Sequence, residues 1–111
     1  PLARAHDTAA ILQSLIRSNP TIRICGELDP TAAPRTLFAL LDALPSDAVA
    51  LCIGHEPHLS LAAGILLTGK PCSGLSLKKA GACLIHIEES VRPAAGRLEW
   101  WLTAAQLRAL A

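Results

Sequence analysis

The sequence contains no methionine, and aromatic residues make up only 3% of its 111 positions. So few aromatic side chains leave little for stacking on nucleic-acid bases. The charges nearly balance, with 10 basic and 9 acidic residues for a net charge of +1, so no basic surface for a nucleic acid is predicted. No apolar run approaches the roughly 20 residues of a membrane helix. We therefore expect neither a nucleic acid nor a membrane as partner.

The chain also lacks an initiator residue and opens on Pro1-Leu2, without the pattern of a secretory signal. A processed product and a fragment of a longer chain would both begin in this way. With 51% hydrophobic and 17% charged residues, the composition excludes a disordered protein. The length suits one domain and not two.

No Cys-x-x-Cys pair occurs among the four cysteines, so a zinc site is not predicted. Cys25, Cys52 and Cys83 lie in apolar stretches, where a reduced thiol packs as a small hydrophobic side chain. Reduced cysteines favour a cytoplasmic location, because disulfides form in oxidising compartments. A periplasmic location stays open.

Helical and strand-like patterns alternate along the chain. The first predicted helix has the apolar stripe Ala5, Ala9, Leu12 and Ile16 and ends at Ser18-Asn19-Pro20. The second begins at Pro34, and the third begins at Pro57 and ends at Gly69. The fourth runs from Ala104 to Leu110 and is capped by Thr103. The predicted strands are Thr21 to Cys25, Ala48 to Ile53, Ala82 to Glu88 and Leu98 to Leu102.

This alternation predicts an α/β fold, a three-layer sandwich with a mostly parallel sheet and an antiparallel edge. The segment Ala48 to Ile53 is apolar without alternation, as in a strand that is covered on both faces. In such folds ligands bind beyond the carboxyl ends of the strands. The sequence therefore places Gly54-His55 at the predicted binding edge.

His55 follows this predicted strand and precedes the helix that begins at Pro57. A helix N-terminus offers unpaired amides and a partial positive charge, so His55 is placed to meet a phosphoryl oxygen; a loop histidine bonded to the backbone would have the same spacing. Arg4, at the front of the first helix, is either a phosphate ligand or a solvated charge. The remaining histidines have no metal-ligand spacing and are interpreted as structural or exposed: His6, His58 and His86.

Two segments of the sequence resemble motifs of the histidine phosphatase superfamily, which has the phosphoglycerate mutase-like fold, and they occur in the same order as in that superfamily. Pro1-Leu2-Ala3-Arg4-Ala5-His6-Asp7-Thr8-Ala9 resembles its (S)-P-L-x-R-A-x-x-T-A segment, and Cys52-Ile53-Gly54-His55-Glu56-Pro57-His58-Leu59 resembles its V-G-H-x-P-x-L segment. The similarity continues through Leu77-Lys78-Lys79-Ala80-Gly81-Ala82 and Leu98-Glu99-Trp100-Trp101-Leu102. It is closest to the small phosphohistidine phosphatases of the SixA type.

The resemblance implies transfer of a phosphoryl group to the histidine of an Arg-His-Gly motif and then to water. It makes Arg4 a phosphate clamp and His55 the second histidine of the phosphate pocket, since positive donors around the transferring oxygens stabilise the transition state. Glu56 stands where one branch of the superfamily has an acidic proton donor. Its position is explained equally well if its side chain caps the helix that follows. The implied substrate is a phosphohistidine on a protein or a small phosphate ester, with no metal or organic cofactor.

The sequence contains no Arg-His-Gly, so the nucleophilic histidine is absent from these 111 residues. The resemblance then implies the C-terminal part of a single histidine phosphatase domain over residues 1–111, without its first strand-helix-strand unit of about 30 residues or more. That unit would cover Ala48 to Ile53, whose open edge otherwise invites pairing with another chain, as in a dimer. The predicted function is that of a catalytically incomplete phosphohistidine phosphatase. The alternatives are a non-catalytic phosphate-binding or interaction module and an inert fragment.

Overall fold

Over the residues that the structure describes, helices alternate with irregular segments and a hairpin forms the sheet. A computed structural model of the chain describes residues 3–17 and 20–110. Over these residues the helices are α1 (Ala3–Leu15), α2 (Pro34–Asp42), α3 (His58–Thr68) and α4 (Ala104–Leu110), and the strands are β1 (Ala82–Ile87) and β2 (Gly96–Leu102). A short 3-10 helix, Gly26–Leu28, precedes α2. The radius of gyration, 13.6 Å, matches the roughly 13 Å of a compact chain, so this is a compact mixed α/β structure.

Local capping chemistry accounts for the ends of three helices. Pro34 occupies the first turn of α2, where a missing N–H costs no hydrogen bond. Gly69 ends α3 in the left-handed conformation, at φ +92°, and its N–H donates to the Ile65 carbonyl. Before α4, the Gln106 N–H donates to Thr103 Oγ1, and the Thr103 N–H donates to Gln106 Oε1. The predictions at these three points are confirmed.

The first predicted helix is confirmed as α1, although α1 buries little of its apolar surface. Ala5 is its buried residue, while Ile11 and Leu15 are largely exposed. Ser18 and Asn19, which were predicted to end this helix, lie outside the described residues. Within the described ranges, no helix is long and apolar enough to cross a membrane.

The core lies between α2, α3 and one face of the hairpin. Its buried cluster consists of Leu37 and Phe38 from α2 and Ala62 and Leu66 from α3. Half-buried side chains from β1 and the loops pack against this cluster, among them Leu28, Cys52, Ile85, Ile87 and Val91. The apolar faces of α2 and α3 therefore meet each other.

A glycine allows α3 to approach the hairpin closely. A Cβ atom at Gly96 would lie 2.7 Å from Ile85 Cγ2 and 3.1 Å from the Leu66 carbonyl oxygen. Any larger residue would push β1 or α3 aside, because a backbone carbonyl and a β-branched side chain have little freedom to move. Gly96 therefore fixes the distance between α3 and the sheet.

The hairpin contains a β-bulge. Leu84 pairs with Trp100 and Ile85 pairs with Leu98, so Glu99 is an additional residue in β2. The two predicted strands at Ala82 to Glu88 and Leu98 to Leu102 are confirmed, and they pair antiparallel.

The other two predicted strands, Thr21 to Cys25 and Ala48 to Ile53, are wrong for this structure. Both segments run without a helix, turn or bend, yet neither is paired, and the sheet of the described residues holds two antiparallel strands and no parallel pair. A strand exists only beside a hydrogen-bonded neighbour, and no described segment provides one for either.

These two unpaired segments leave apolar side chains in solvent. Ile24 is 69% exposed, Val49 is 91% exposed and Leu51 is 62% exposed. Cys25, in contrast, is buried. Burial raises the pKa of the Cys52 thiol, and the Cys25 thiol raises it further, so the two segments lie near each other at these cysteines.

Candidate functional site

His55 lies where the unpaired segment meets α3. Its carbonyl oxygen accepts a hydrogen bond from the Leu59 N–H at 3.1 Å. Its ring Nε2 is buried and has no hydrogen-bond partner among the described residues. Burying a polar atom without a partner costs on the order of 1–3 kcal/mol.

Glu56 caps the start of α3. Its Oε1 accepts the Ser60 N–H at 3.0 Å, and its Oε2 accepts a hydrogen bond from the Ser60 hydroxyl. The buried Ser60 hydroxyl also accepts the Leu77 N–H at 2.8 Å, which joins the first turn of α3 to the loop before β1. Of the two interpretations of Glu56, the structure contains the cap. A role as proton donor stays a prediction.

The expectation of free amides at this helix start is largely wrong. The Leu59 and Leu61 N–H groups donate to the His55 and Pro57 carbonyls, and the Ser60 N–H donates to Glu56. These first-turn amides are satisfied within the chain. A ligand here would meet the helix dipole and the side chains.

His58, the first residue of α3, is 2% exposed, and neither of its ring nitrogens has a hydrogen-bond partner among the described residues. It lies near the loop that follows the 3-10 helix. In that loop, hydrogen bonds from the Thr31 hydroxyl and then from the Thr31 N–H hold the pKa of Asp29 below its usual range, and His58 acts in the same direction. The structural interpretation of His58 therefore agrees with its burial.

Arg4 lies in the first turn of α1 and is exposed. The Thr8 hydroxyl donates to its carbonyl oxygen at 2.9 Å, and no ion pair of the described residues involves its guanidinium. No hydrogen bond in this part of the chain joins Arg4 to His55. A cleft of about 350 Å³ opens beside α1, lined by Ala3, His6, Asp7 and Ile24.

The cysteines are free thiols in the structure. Burial raises the pKa of Cys83, and the nearby Glu56 raises it further. Because the thiolate is the nucleophilic and metal-binding form, the raised pKa values of Cys52 and Cys83 disfavour both chemistries. Among residues 3–17 and 20–110, no cluster of three or more His, Cys, Asp or Glu side chains could hold a metal ion.

Comparison with known proteins assigns the chain to no family. No protein-family model matches it, and no curated protein matches it.

Sequence reasoning missed Ser60. The spacing of Glu56 and Ser60, with the acid before a helix start and the serine four residues later, is the signal that could have found their contact. No local signal connects Ser60 with Leu77, which lies 17 residues further along the chain. The burial of both His58 ring nitrogens was also beyond the pattern, since it depends on the packing of separate segments.

Proposed function

We propose that this chain is the phosphate-binding part of a phosphohistidine phosphatase-like domain and is catalytically incomplete in these 111 residues. His55 and Arg4 contact the phosphoryl oxygens, and the nucleophilic histidine of an Arg-His-Gly motif comes from outside this sequence. The observation that carries the proposal is His55 Nε2, which is buried without a partner at the start of α3.

The surroundings of His55 suit an anion. The positive end of the α3 dipole lies beside it, and the first turn of α3 contains no acidic residue. The Glu56 carboxylate, directly before the helix, has both oxygens on Ser60. An imidazole N–H of His55 can donate to a phosphoryl oxygen, and the Arg4 guanidinium can bind two oxygens at once.

The proposal also gives the two unpaired segments a role. Residues 21–25 and 48–53 become strands of the mostly parallel, three-layer phosphoglycerate mutase-like fold once further strands lie beside them. Their unbent course and the exposed side chains of Ile24, Val49 and Leu51 support this. We further propose a cytoplasmic location, which the free thiols support, and a protein phosphohistidine or a small phosphate ester as substrate.

Titration with inorganic phosphate, followed by NMR of the histidine ring signals, tests the binding site. The His55 signals should shift and saturate, and His55→Ala should abolish the saturable binding. His86→Ala is the matched control, because His86 lies on β1, contacts Glu88 and is partly exposed. Binding that His55→Ala leaves intact would refute the assignment.

The role of Arg4 is tested by comparing Arg4→Ala with Arg17→Ala in the same titration. Loss of a charge-assisted contact should weaken phosphate binding about tenfold or more for Arg4→Ala, and Arg17→Ala should leave it unchanged. Equal losses would argue against a specific contact. The chain alone should hydrolyse neither phosphohistidine nor an aryl phosphate, and turnover that His55→Ala abolishes would place the nucleophile within these residues.

A further inference from the structure

The loop before β1 brings two adjacent lysines to the start of α3. Lys78 and Lys79 directly follow Leu77, whose N–H donates to the Ser60 hydroxyl at 2.8 Å. Ser60 lies in the first turn of α3, directly after the residue whose N–H donates to the His55 carbonyl oxygen at 3.1 Å. Charges act on each other over about 10 Å at an ionic strength of 0.1 M. The lysine pair therefore stands within electrostatic reach of the candidate phosphate site.

A tight turn holds the lysines at this place. The Gly81 N–H donates to the Lys78 carbonyl oxygen at 2.8 Å, and a Cβ atom at Gly81 would lie 3.1 Å from the Leu102 carbonyl oxygen. The turn is thus packed against the end of β2. The start of β1 also lies near Glu56, because burial raises the pKa of the Cys83 thiol and the Glu56 carboxylate raises it further.

The charges of both lysines are available to a ligand. Lys78 and Lys79 are exposed, and no ion pair of the described residues involves either ammonium group. Two carboxylates lie near the start of α3, Glu56 directly before it and Asp29 in the loop beside His58. Carboxylates repel an anion, so phosphate binding here needs cations that offset them, and the lysine pair supplies two.

We propose that Lys78 and Lys79 bind a second anionic group of the ligand, so that the site at His55 prefers a phosphate carrying a further negative group to free phosphate. This role rests on the proposed function, since His55 has to hold the phosphoryl group. The difference in depth supports it, because His55 Nε2 is buried whereas both lysines are exposed. The part of the ligand that stays outside therefore meets the lysines. Lysine suits this task, since its ammonium group is a point charge on a flexible stem and binds phosphate or carboxylate oxygens alike.

Titration of the full chain with inorganic phosphate and with inorganic pyrophosphate, at constant ionic strength, tests the preference. Both anions should shift the His55 ring signals in NMR spectra, and pyrophosphate should bind more tightly. Replacing both lysines, Lys78→Gln with Lys79→Gln, should weaken pyrophosphate binding about fivefold and phosphate binding less than about twofold. Added salt should reduce the preference of the unaltered chain for pyrophosphate.

Lys70→Gln is the matched control. Lys70 is exposed and follows Gly69 at the opposite end of α3, about 16 Å along the helix from its start. Its replacement removes the same charge and should leave the binding of both anions unchanged.

The outcomes separate this role from the proposed function. If phosphate shifts His55 but pyrophosphate binds no more tightly, the role of the lysines is overturned and the phosphate site stands. The same holds if the double variant weakens both anions equally, or if it weakens pyrophosphate no more than Lys70→Gln does. If neither anion binds saturably at His55 in the unaltered chain, the proposed function fails and the role of the lysines fails with it.

Discussion

Replacing Ser60 with alanine removes the hydroxyl that joins two parts of the structure. That hydroxyl donates to the Glu56 carboxylate and accepts the Leu77 N–H, and the residue is buried. Alanine keeps the helix and the small side chain, so the change isolates the two hydrogen bonds. The first turn of α3 would lose its link to the loop before β1.

The expected loss follows from these two bonds. A buried N–H without a partner costs about 1–3 kcal/mol, and a hydrogen bond to a carboxylate contributes about 1.5–3 kcal/mol. Glu56 is exposed and keeps its bond to the Ser60 N–H, so water replaces much of the second contribution. We expect Ser60→Ala to lower the free energy of unfolding by about 2 kcal/mol, or Tm by about 10 °C for a domain of this size.

Urea unfolding followed by circular dichroism measures this loss, at one protein concentration for every variant because self-association shifts apparent stability. Ser14→Ala is the control, since the Ser14 hydroxyl donates to the Ile11 carbonyl on an exposed part of α1. Its effect should stay within about 0.5 kcal/mol. A loss for Ser60→Ala no larger than that of the control would refute the reasoning.

Two further predictions concern packing and ionisation. Gly96→Ala should lower the free energy of unfolding by about 1–3 kcal/mol in urea titrations, because the added methyl group meets β1 and the α3 backbone. Gly26→Ala is the control: a Cβ atom at Gly26 has nothing within 4 Å, so this variant should change the free energy of unfolding by less than about 1 kcal/mol. Similar effects at the two glycines would contradict the close approach of α3. Thr31→Val should raise the pKa of Asp29 towards its ordinary value in an NMR titration of the carboxyl carbon, because both hydrogen bonds of Thr31 favour the carboxylate and the hydroxyl bond is lost. A carboxyl group whose pKa is lowered in the folded state stabilises the fold above its unfolded-state pKa, and this stabilisation is lost as the pH falls through the lowered pKa. The Thr31→Val protein should therefore lose less stability in acid than the unaltered chain. An unchanged pKa of Asp29 in this variant would contradict the role given to Thr31.

Sequence patterns predicted the features whose causes lie within a few residues. Pro57 and Gly69 bracket α3 because proline tolerates the start of a helix and glycine adopts the left-handed conformation at its end. Thr103 and Gln106 cap α4 through contacts three residues apart. β1 has its pairing partner nearby in the chain, so the hairpin was predictable too.

The strands predicted at residues 21–25 and 48–53 failed for a different reason. Their residues favour an extended backbone, but ladder hydrogen bonds belong to a pair of segments and not to one. An apolar run such as Ala48 to Ile53 indicates cover on both faces and does not reveal which segment supplies the cover. The structure leaves Val49 exposed instead.

The candidate site was likewise predictable from the sequence only where it depends on neighbouring residues. The position of His55 before α3 follows from its neighbours in the chain, and the structure places it there. The unpaired state of its Nε2 and the link from Ser60 to Leu77 arise from segments that are distant in sequence. The sequence alone could not show that Glu56 caps α3, because a cap and a proton donor would stand at the same position relative to the helix.

The hairpin holds both tryptophans of the chain, side by side on β2. Trp101 pairs with Cys83, on the sheet face that packs towards α3, while Trp100 pairs with Leu84 on the opposite face and is 41% exposed. Because successive residues of a strand face opposite sides of the sheet, these two adjacent indoles lie in different environments. The intrinsic fluorescence of the protein is therefore a sum of two signals. Because Trp100 is the more exposed indole, we expect iodide to quench its component more strongly, so that quenching distinguishes changes beneath α3 from changes on the open face of the sheet.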